Sequence, residues 1–155
     1  MPKSALFVCL GNICRSPIAE AQFRTLIENE GLSGEWKIDS AALGPWHVGN
    51  GPHKSAVKVL KDNGIDTKHK ARELKPADFT KFDFIFGMDD ENMDDINSMK
   101  PANSTARIEK LGTYDPEGVE DVADPYYGNE GFKDFQVCFA HCDRCVKEFF
   151  NKNAK

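Results

Sequence analysis

Residues 9 to 16 read CLGNICRS. Two cysteines five residues apart around a Gly-Asn pair, followed by arginine, allow three chemistries: a redox pair of thiols, part of a metal knuckle, or an anion cradle that holds a nucleophile. The stretch follows the apolar run ALFV and precedes Pro17, so it lies between a buried strand and the start of a helix. In open parallel sheets, ligands bind beyond the carboxyl ends of the strands, where the first loop enters a helix. Successive N–H groups there, with the positive end of the following helix, attract an anion. Gly11 and Asn12 are residue types that tolerate the unusual backbone angles of such a cradle. Both nucleotide signatures, GxxxxGK[ST] and GxGxxG, are absent, so the anion is not a nucleotide.

A thiol beside helix N-terminal amides and an arginine is expected to be thiolate at neutral pH. Arg15 adds a planar fork suited to bidentate contact with phosphate. Nucleophile, cradle and arginine on one loop point to attack by the Cys9 sulfur on phosphorus. The leaving group then needs a proton, which calls for a carboxylic acid on a separate loop. Asp115 and Asp124, each followed by proline, are the candidates on the long stretch GTYDPEGVEDVADPYYGN. Asp124 precedes Tyr126 and Tyr127, aromatics able to wall a pocket for a phenyl ring. Asp115 reads better as a turn residue.

The elements that must position these groups follow from periodicity. Residues 5 to 10 form a continuous apolar run, a strand buried on both faces. Pro17 opens a helix with Ser16 as N-cap and Glu20 as a favourable early charge, and Ala19, Phe23, Leu26 and Ile27 recur until Gly31. Trp36, Ile38, Ser40 and Ala42 mark a second strand, and the Gly/Pro-rich stretch after it is loop. A helix over 53–63 carries Ala56, Val57 and Leu60 on one face and stops at Gly64; strands are expected at 82–88 and 107–111, and a last helix over 131–151. The acidic run at Asp89, Asp90, Glu91, Asp94 and Asp95 reads as a solvated helical face. Strands alternating with helices give an α/β sandwich around a parallel sheet.

With 155 residues, 40% hydrophobic and 29% charged, the chain reads as one globular domain over 1–155. A net charge of −5 gives no electrostatic case for nucleic acid or an anionic membrane. ALFVCL is far short of the roughly 20 residues a membrane span needs, and no signal-peptide layout is present. Five cysteines, an odd count, argue for free thiols in a reducing compartment, the cytoplasm. Cys138, His141, Cys142 and Cys145 suggest zinc at first sight. The three cysteines nevertheless share a helical face with Phe135 and Phe149, and no partner CxxC pair exists, so a core stripe is the better reading.

The segment Cys9 to Pro17, together with Asp124-Pro125-Tyr126-Tyr127, resembles the low-molecular-weight protein tyrosine phosphatases, or acid phosphatases, and the resemblance covers essentially the whole chain. It implies a three-layer, flavodoxin-like (Rossmann-like) sandwich with a four-stranded parallel sheet and a phosphate loop after the first strand. It implies Cys9 as the nucleophile of a cysteinyl-phosphate intermediate, with Arg15 and the amides of Leu10, Gly11, Asn12, Ile13 and Cys14 around the phosphate. Asp124 would be the general acid and later activate water, and Ser16 would donate to the sulfur. Asn12 would hold the loop with support from Ser40 and His69, while Trp46, Tyr126 and Tyr127 line a slot for phosphotyrosine. Cys14 would form a reversible disulfide with Cys9 on oxidation, making the protein redox-sensitive. No metal or cofactor is implied; the partners are phosphotyrosine proteins, and the expected state is a monomer with weak self-association. Two other readings compete. A thiol-coupled arsenate reductase needs a cysteine relay near the site, yet no cysteine falls between Cys14 and Cys138. A catalytically silent phosphotyrosine-binding module would have lost the nucleophile or the acid, and both are present.

Overall fold

The computed structural model describes residues 2–153. In chain order the elements are β1 (Lys3–Cys9), α1 (Arg15–Asn29), β2 (Trp36–Ala42), α2 (Lys54–Asp62), α3 (Asp78–Lys81), β3 (Phe84–Gly87), α4 (Asp90–Met99), β4 (Arg107–Lys110) and α5 (Phe132–Asn153). Short 3-10 turns occupy Ser33–Glu35, Leu111–Tyr114 and Pro125–Tyr127. The strands form one parallel sheet in the order β2-β1-β3-β4. β1 is central, with Phe7 in register with Ser40 on one side and Phe86 on the other.

That central place explains the unbroken apolar run of β1. Ala5, Phe7 and Cys9 point into a core shared with α1, α2 and α5, whereas Leu6 and Val8 join Phe79, Ile85 and Ile96 on the opposite face. Both faces are covered, as parallel strands require. On the first face Phe149 of α5 sits edge-on to Phe23, Phe84, Phe86 and Tyr114, with ring centroids 5.6, 4.9, 4.9 and 5.3 Å away. The architecture is the layered, flavodoxin-like α/β fold expected. Among the described residues no helix is long and apolar enough to cross a membrane.

Several local expectations change. α1 begins at Arg15 with Cys14 as the residue before it, so Ser16 is not the N-cap and no side chain caps this end. Pro17 still fits, because the first four N–H groups of a helix have no intrahelical partner in any case. Glu20 therefore lies beyond the first turn and is buried. On α2 the buried stripe is Ala56, Val59 and Leu60; Val57 is rotated toward solvent. The third strand is shorter than expected, Phe84–Gly87. Asp89 is no member of a solvated face: its carboxylate caps α4 by accepting from Asn92 N at 2.8 Å, while Asp90, Glu91, Asp94 and Asp95 are exposed.

Candidate active site

The loop between β1 and α1 is shaped by one residue. Asn12, at φ 59°, is the single non-glycine residue with positive φ among those described. Asparagine accepts that conformation at low cost because its short amide bonds locally. Here the buried amide spans the loop's surroundings: Nδ2 donates to Ser16 Oγ at 2.7 Å and to Ser40 Oγ at 3.0 Å, and Oδ1 accepts from His69 Nε2 at 2.7 Å and from Arg72 N at 3.1 Å. Gly11 does not take a positive φ; its glycine matters because a Cβ there would lie 3.0 Å from the His47 ring. The carbonyls of Cys9, Leu10 and Ile13 accept from the amides of Leu43, Gly44 and His53. Those three oxygens are thus satisfied by protein donors.

Cys9 ends β1 and is buried, its sulfur 3.0 Å from Ser16 Oγ. Arg15, also buried, donates through Nη1 to Asp89 Oδ2 at 2.6 Å and to Val122 O at 2.9 Å, and through Nη2 to Asp124 Oδ2 at 3.4 Å. Burial opposes its charge, yet Cys9, Asp124 and Asp89 outweigh that cost and raise its pKa further. Cys14 behaves oppositely. Burial, then the charges of Asp124 and Cys9, push its thiol well above the ordinary range, so it stays protonated. Asp124 precedes the 3-10 turn Pro125–Tyr127 and caps it, Oδ1 accepting from Tyr126 N at 3.1 Å.

Behind the loop lies a second layer. Ser40 bonds Glu20, and His69 Nδ1 stands 3.2 Å from Glu20 Oε1. Burial alone would raise the Glu20 carboxyl, but the bonds from His69 and Ser40 prevail and lower it. Glu20, Asp39 and His69 bring three potential metal-ligating atoms within 4.8 Å of one another. Each is already engaged: Glu20 by Ser40, Arg24 and His69, Asp39 by Arg72, and His69 by Asn12.

Above the loop opens a cavity of about 500 Å³ lined by Cys9, Leu10, Gly11, Ile13, Cys14, Trp46, His47, Asp124, Tyr126 and Tyr127. Its aromatic rim is exposed, Trp46 by 65%, Tyr126 by 50% and Tyr127 by 72%. The structure therefore gathers Cys9, Arg15, Asp124 and the aromatic trio at one end of the sheet, with Asn12, Ser16, Ser40 and His69 beneath. Asp115 does not line this cavity; as a turn residue it accepts from Glu117 N at 2.9 Å. Cys138, Cys142 and Cys145 are buried in the core, and His141 bonds Val119 O.

Four contributors escape sequence reasoning. Asp89 was hidden in a charge run, although its place just after the buried strand FIFGM was a usable signal. His47 forms part of the cavity wall. His53 caps α2 through Nδ1, donates its backbone N–H to Ile13 O at 2.8 Å and stacks on Phe135 at 4.8 Å. Arg72 ties the loop to Asp39 and Asp78.

A thiol and a carboxyl group in the wall of a cavity with an aromatic rim, and a buried guanidinium bonded to that carboxyl group, can hold a tetrahedral anion, attack it and protonate its leaving group. Comparison with known proteins agrees. Residues 4–155 match the family described as Low molecular weight phosphotyrosine protein phosphatase. The protein of that name from Sus scrofa is 48% identical over 97% of this chain and 95% of its own. The Schizosaccharomyces pombe protein of the same name is 52% identical over 85% and 86%. Among solved structures, a protein tyrosine phosphatase from Entamoeba histolytica superposes with a TM-score of 0.91 at 33% identity, covering 97% of this chain and 96% of that one.

Proposed function

The chain belongs to the low molecular weight phosphotyrosine protein phosphatases, a family of hydrolases, and on that premise we propose how its cavity hydrolyses protein phosphotyrosine and small aryl phosphates. The observation that carries the reading is the convergence of Cys9 and Asp124, which come from two separated loops, at one cavity, with Arg15 of the Cys9 loop bonded to Asp124.

The phosphate dianion sits over the loop, its oxygens taking N–H groups from Leu10 through Arg15 and the guanidinium of Arg15. Ser16 donates to the Cys9 sulfur and stabilises it as thiolate. The sulfur attacks phosphorus opposite the phenolic oxygen; the S–P bond forms, the P–O bond breaks, and Asp124 transfers its proton to the departing phenolate. Water then attacks the cysteinyl phosphate, giving its proton to the Asp124 carboxylate, and inorganic phosphate leaves with the thiolate restored. Asn12, backed by Ser40 and His69, keeps the loop in shape between turnovers. Trp46, Tyr126 and Tyr127 wall the slot, whose depth favours phosphotyrosine over the shorter phosphoserine. No step calls for a metal.

Cys14 is the redox partner in this reading. A sulfenic acid formed on Cys9 by peroxide would condense with the Cys14 thiol, releasing water and leaving a disulfide that thiols reduce. Both residues belong to one buried cluster. The same chain, residues 1–155, acts as one phosphatase domain, and five free thiols suit a reducing compartment such as the cytoplasm. An arsenate-reductase relay is not favoured, because Cys138, Cys142 and Cys145 are buried on α5.

The test is Cys9→Ser beside wild type on matched phosphotyrosine and phosphoserine peptides. Wild type should cleave the first and scarcely the second; Cys9→Ser should lose turnover but still bind inorganic phosphate. Turnover retained by Cys9→Ser would sink the covalent route.

A further inference from the structure

We propose that Asp115, Arg144 and His141 form a clasp that positions Asp124 for proton transfer, an inference that rests on reading Asp124 as the general acid. The Asp115 side chain has no exposed surface. Its Oδ1 accepts from Glu117 N at 2.9 Å and Arg144 Nε at 3.0 Å; its Oδ2 accepts from Val119 N at 3.2 Å and Arg144 Nη2 at 3.1 Å. His141, one turn before Arg144 on α5, donates through Nε2 to Val119 O at 2.7 Å and lies 3.2 Å from Asp115 Oδ2. Residues 115–119 are therefore bound to α5 by a planar bidentate pair and a buried imidazole.

A second observation shows how closely the loop is seated. A Cβ on Gly112 would fall 1.8 Å from Glu120 O, so the loop backbone is pressed against the 3-10 turn that follows β4. Beyond that contact only Asp121, Val122 and Ala123 precede Asp124. Lys110 Nζ donates to Asp121 at 2.7 Å, Val122 N donates to Met88 O at 2.8 Å, and Val122 O accepts from Arg15. The acid is held by a short span fastened at Val119 and Val122, and a span of five residues transmits a displacement of its root. α5 also buries Cys138 and Cys142 in the cluster that contains Cys9 and Cys14. One helix is thus the common reference for nucleophile and acid, which must meet substrate within tenths of an ångström. Asp115, Arg144 and His141 are positioning residues; none of them lines the cavity.

A misplaced acid has a signature that lost stability lacks. Without a proton the phenolate leaves fully charged, so kcat/KM comes to depend on the acidity of the phenol. The experiment measures kcat/KM on phenyl phosphates from p-nitrophenyl to unsubstituted, for wild type, Asp124→Ala, Arg144→Met, Gly112→Ala, His141→Leu and His141→Gln. Folding is monitored by circular dichroism, and inhibition by inorganic phosphate reads the cradle. Arg144→Met and Gly112→Ala should each lose about tenfold more rate on phenyl phosphate than on p-nitrophenyl phosphate, a part of the 10²–10⁴-fold that general acids supply. Phosphate inhibition should stay within about twofold of wild type. His141→Leu should act in the same direction, and His141→Gln, whose amide can donate to Val119 O, should restore the wild-type slope. If Asp124→Ala is steep while the folded clasp variants keep the wild-type slope, the clasp is wrong and the acid stands. If Asp124→Ala itself keeps the wild-type slope, the acid assignment fails and takes the clasp with it.

Discussion

Replacing Asn12 by alanine and, separately, by glycine divides what that residue contributes to the cradle. Both variants lose the four side-chain hydrogen bonds to Ser16, Ser40, His69 and Arg72. At about 0.5–1.5 kcal/mol each the loss is about 2–6 kcal/mol, toward the upper end because Arg72 N and His69 Nε2 are left without that acceptor. Alanine must in addition hold φ near 59°, which costs an L-residue with a Cβ about 1–2 kcal/mol and glycine almost nothing. Asn12→Gly should therefore be destabilised by about 2–6 kcal/mol and Asn12→Ala by about 1 kcal/mol more. Urea unfolding monitored by tryptophan fluorescence gives both values from the midpoints, provided the slopes match wild type. Inorganic phosphate should bind more weakly to both, since part of its binding energy now orders the loop. Two variants within 0.5 kcal/mol of wild type, or glycine worse than alanine, would refute the account of Asn12 as the loop's keystone.

Two further outcomes follow from the same geometry. Arg144 draws the Asp115 carboxyl down to about 2 from its ordinary 3.8; a depressed carboxyl stabilises the fold fully above the unfolded value and loses that stabilisation as pH falls toward the folded one. The stability gap between wild type and Asp115→Asn should narrow by about 2 kcal/mol between pH 5 and pH 2, and an unchanged gap would show that the pair contributes nothing linked to protons. Phe149→Ala removes the ring that meets Phe23, Phe84, Phe86 and Tyr114 and should cost about 3–5 kcal/mol, seen as a lowered Tm at unchanged KM for the residual folded enzyme.

What could be read in the sequence was what lies contiguous along it. Cys9 and Arg15 share one loop, and the loop's place between a doubly buried strand and a proline-marked helix was enough to make it a cradle. Asp124 could be separated from Asp115 by the tyrosines beside it, whereas the structural task of Asp115 depends on Arg144, 29 residues away. Ser40 and His69 came from the family resemblance alone, being 28 and 57 residues from the Asn12 they support. Asp89 is not legible from the charge pattern, because a run of acids looks the same whether or not one member turns inward to meet a buried guanidinium. The place of Ser16 is not legible for a related reason: proline marks the first turn of a helix without fixing which of its positions it fills. The Ser16 hydroxyl lies at the Cys9 sulfur, and no local pattern carries that information.

Arg15 is paired with both Asp89 and Asp124, so a phosphate does not meet an unpartnered cation. It competes with a carboxylate of the protein's own for one edge of the guanidinium. The contact at stake is the longest that Arg15 makes, 3.4 Å to Asp124 through Nη2, whereas Nη1 is held at 2.6 Å by Asp89 and at 2.9 Å by Val122 O. An anion that takes the Nη2 edge therefore loosens one carboxylate and leaves the plane of the guanidinium fixed by the other two bonds. The arginine is anchored on the side that faces the protein and yielding on the side that faces the cavity.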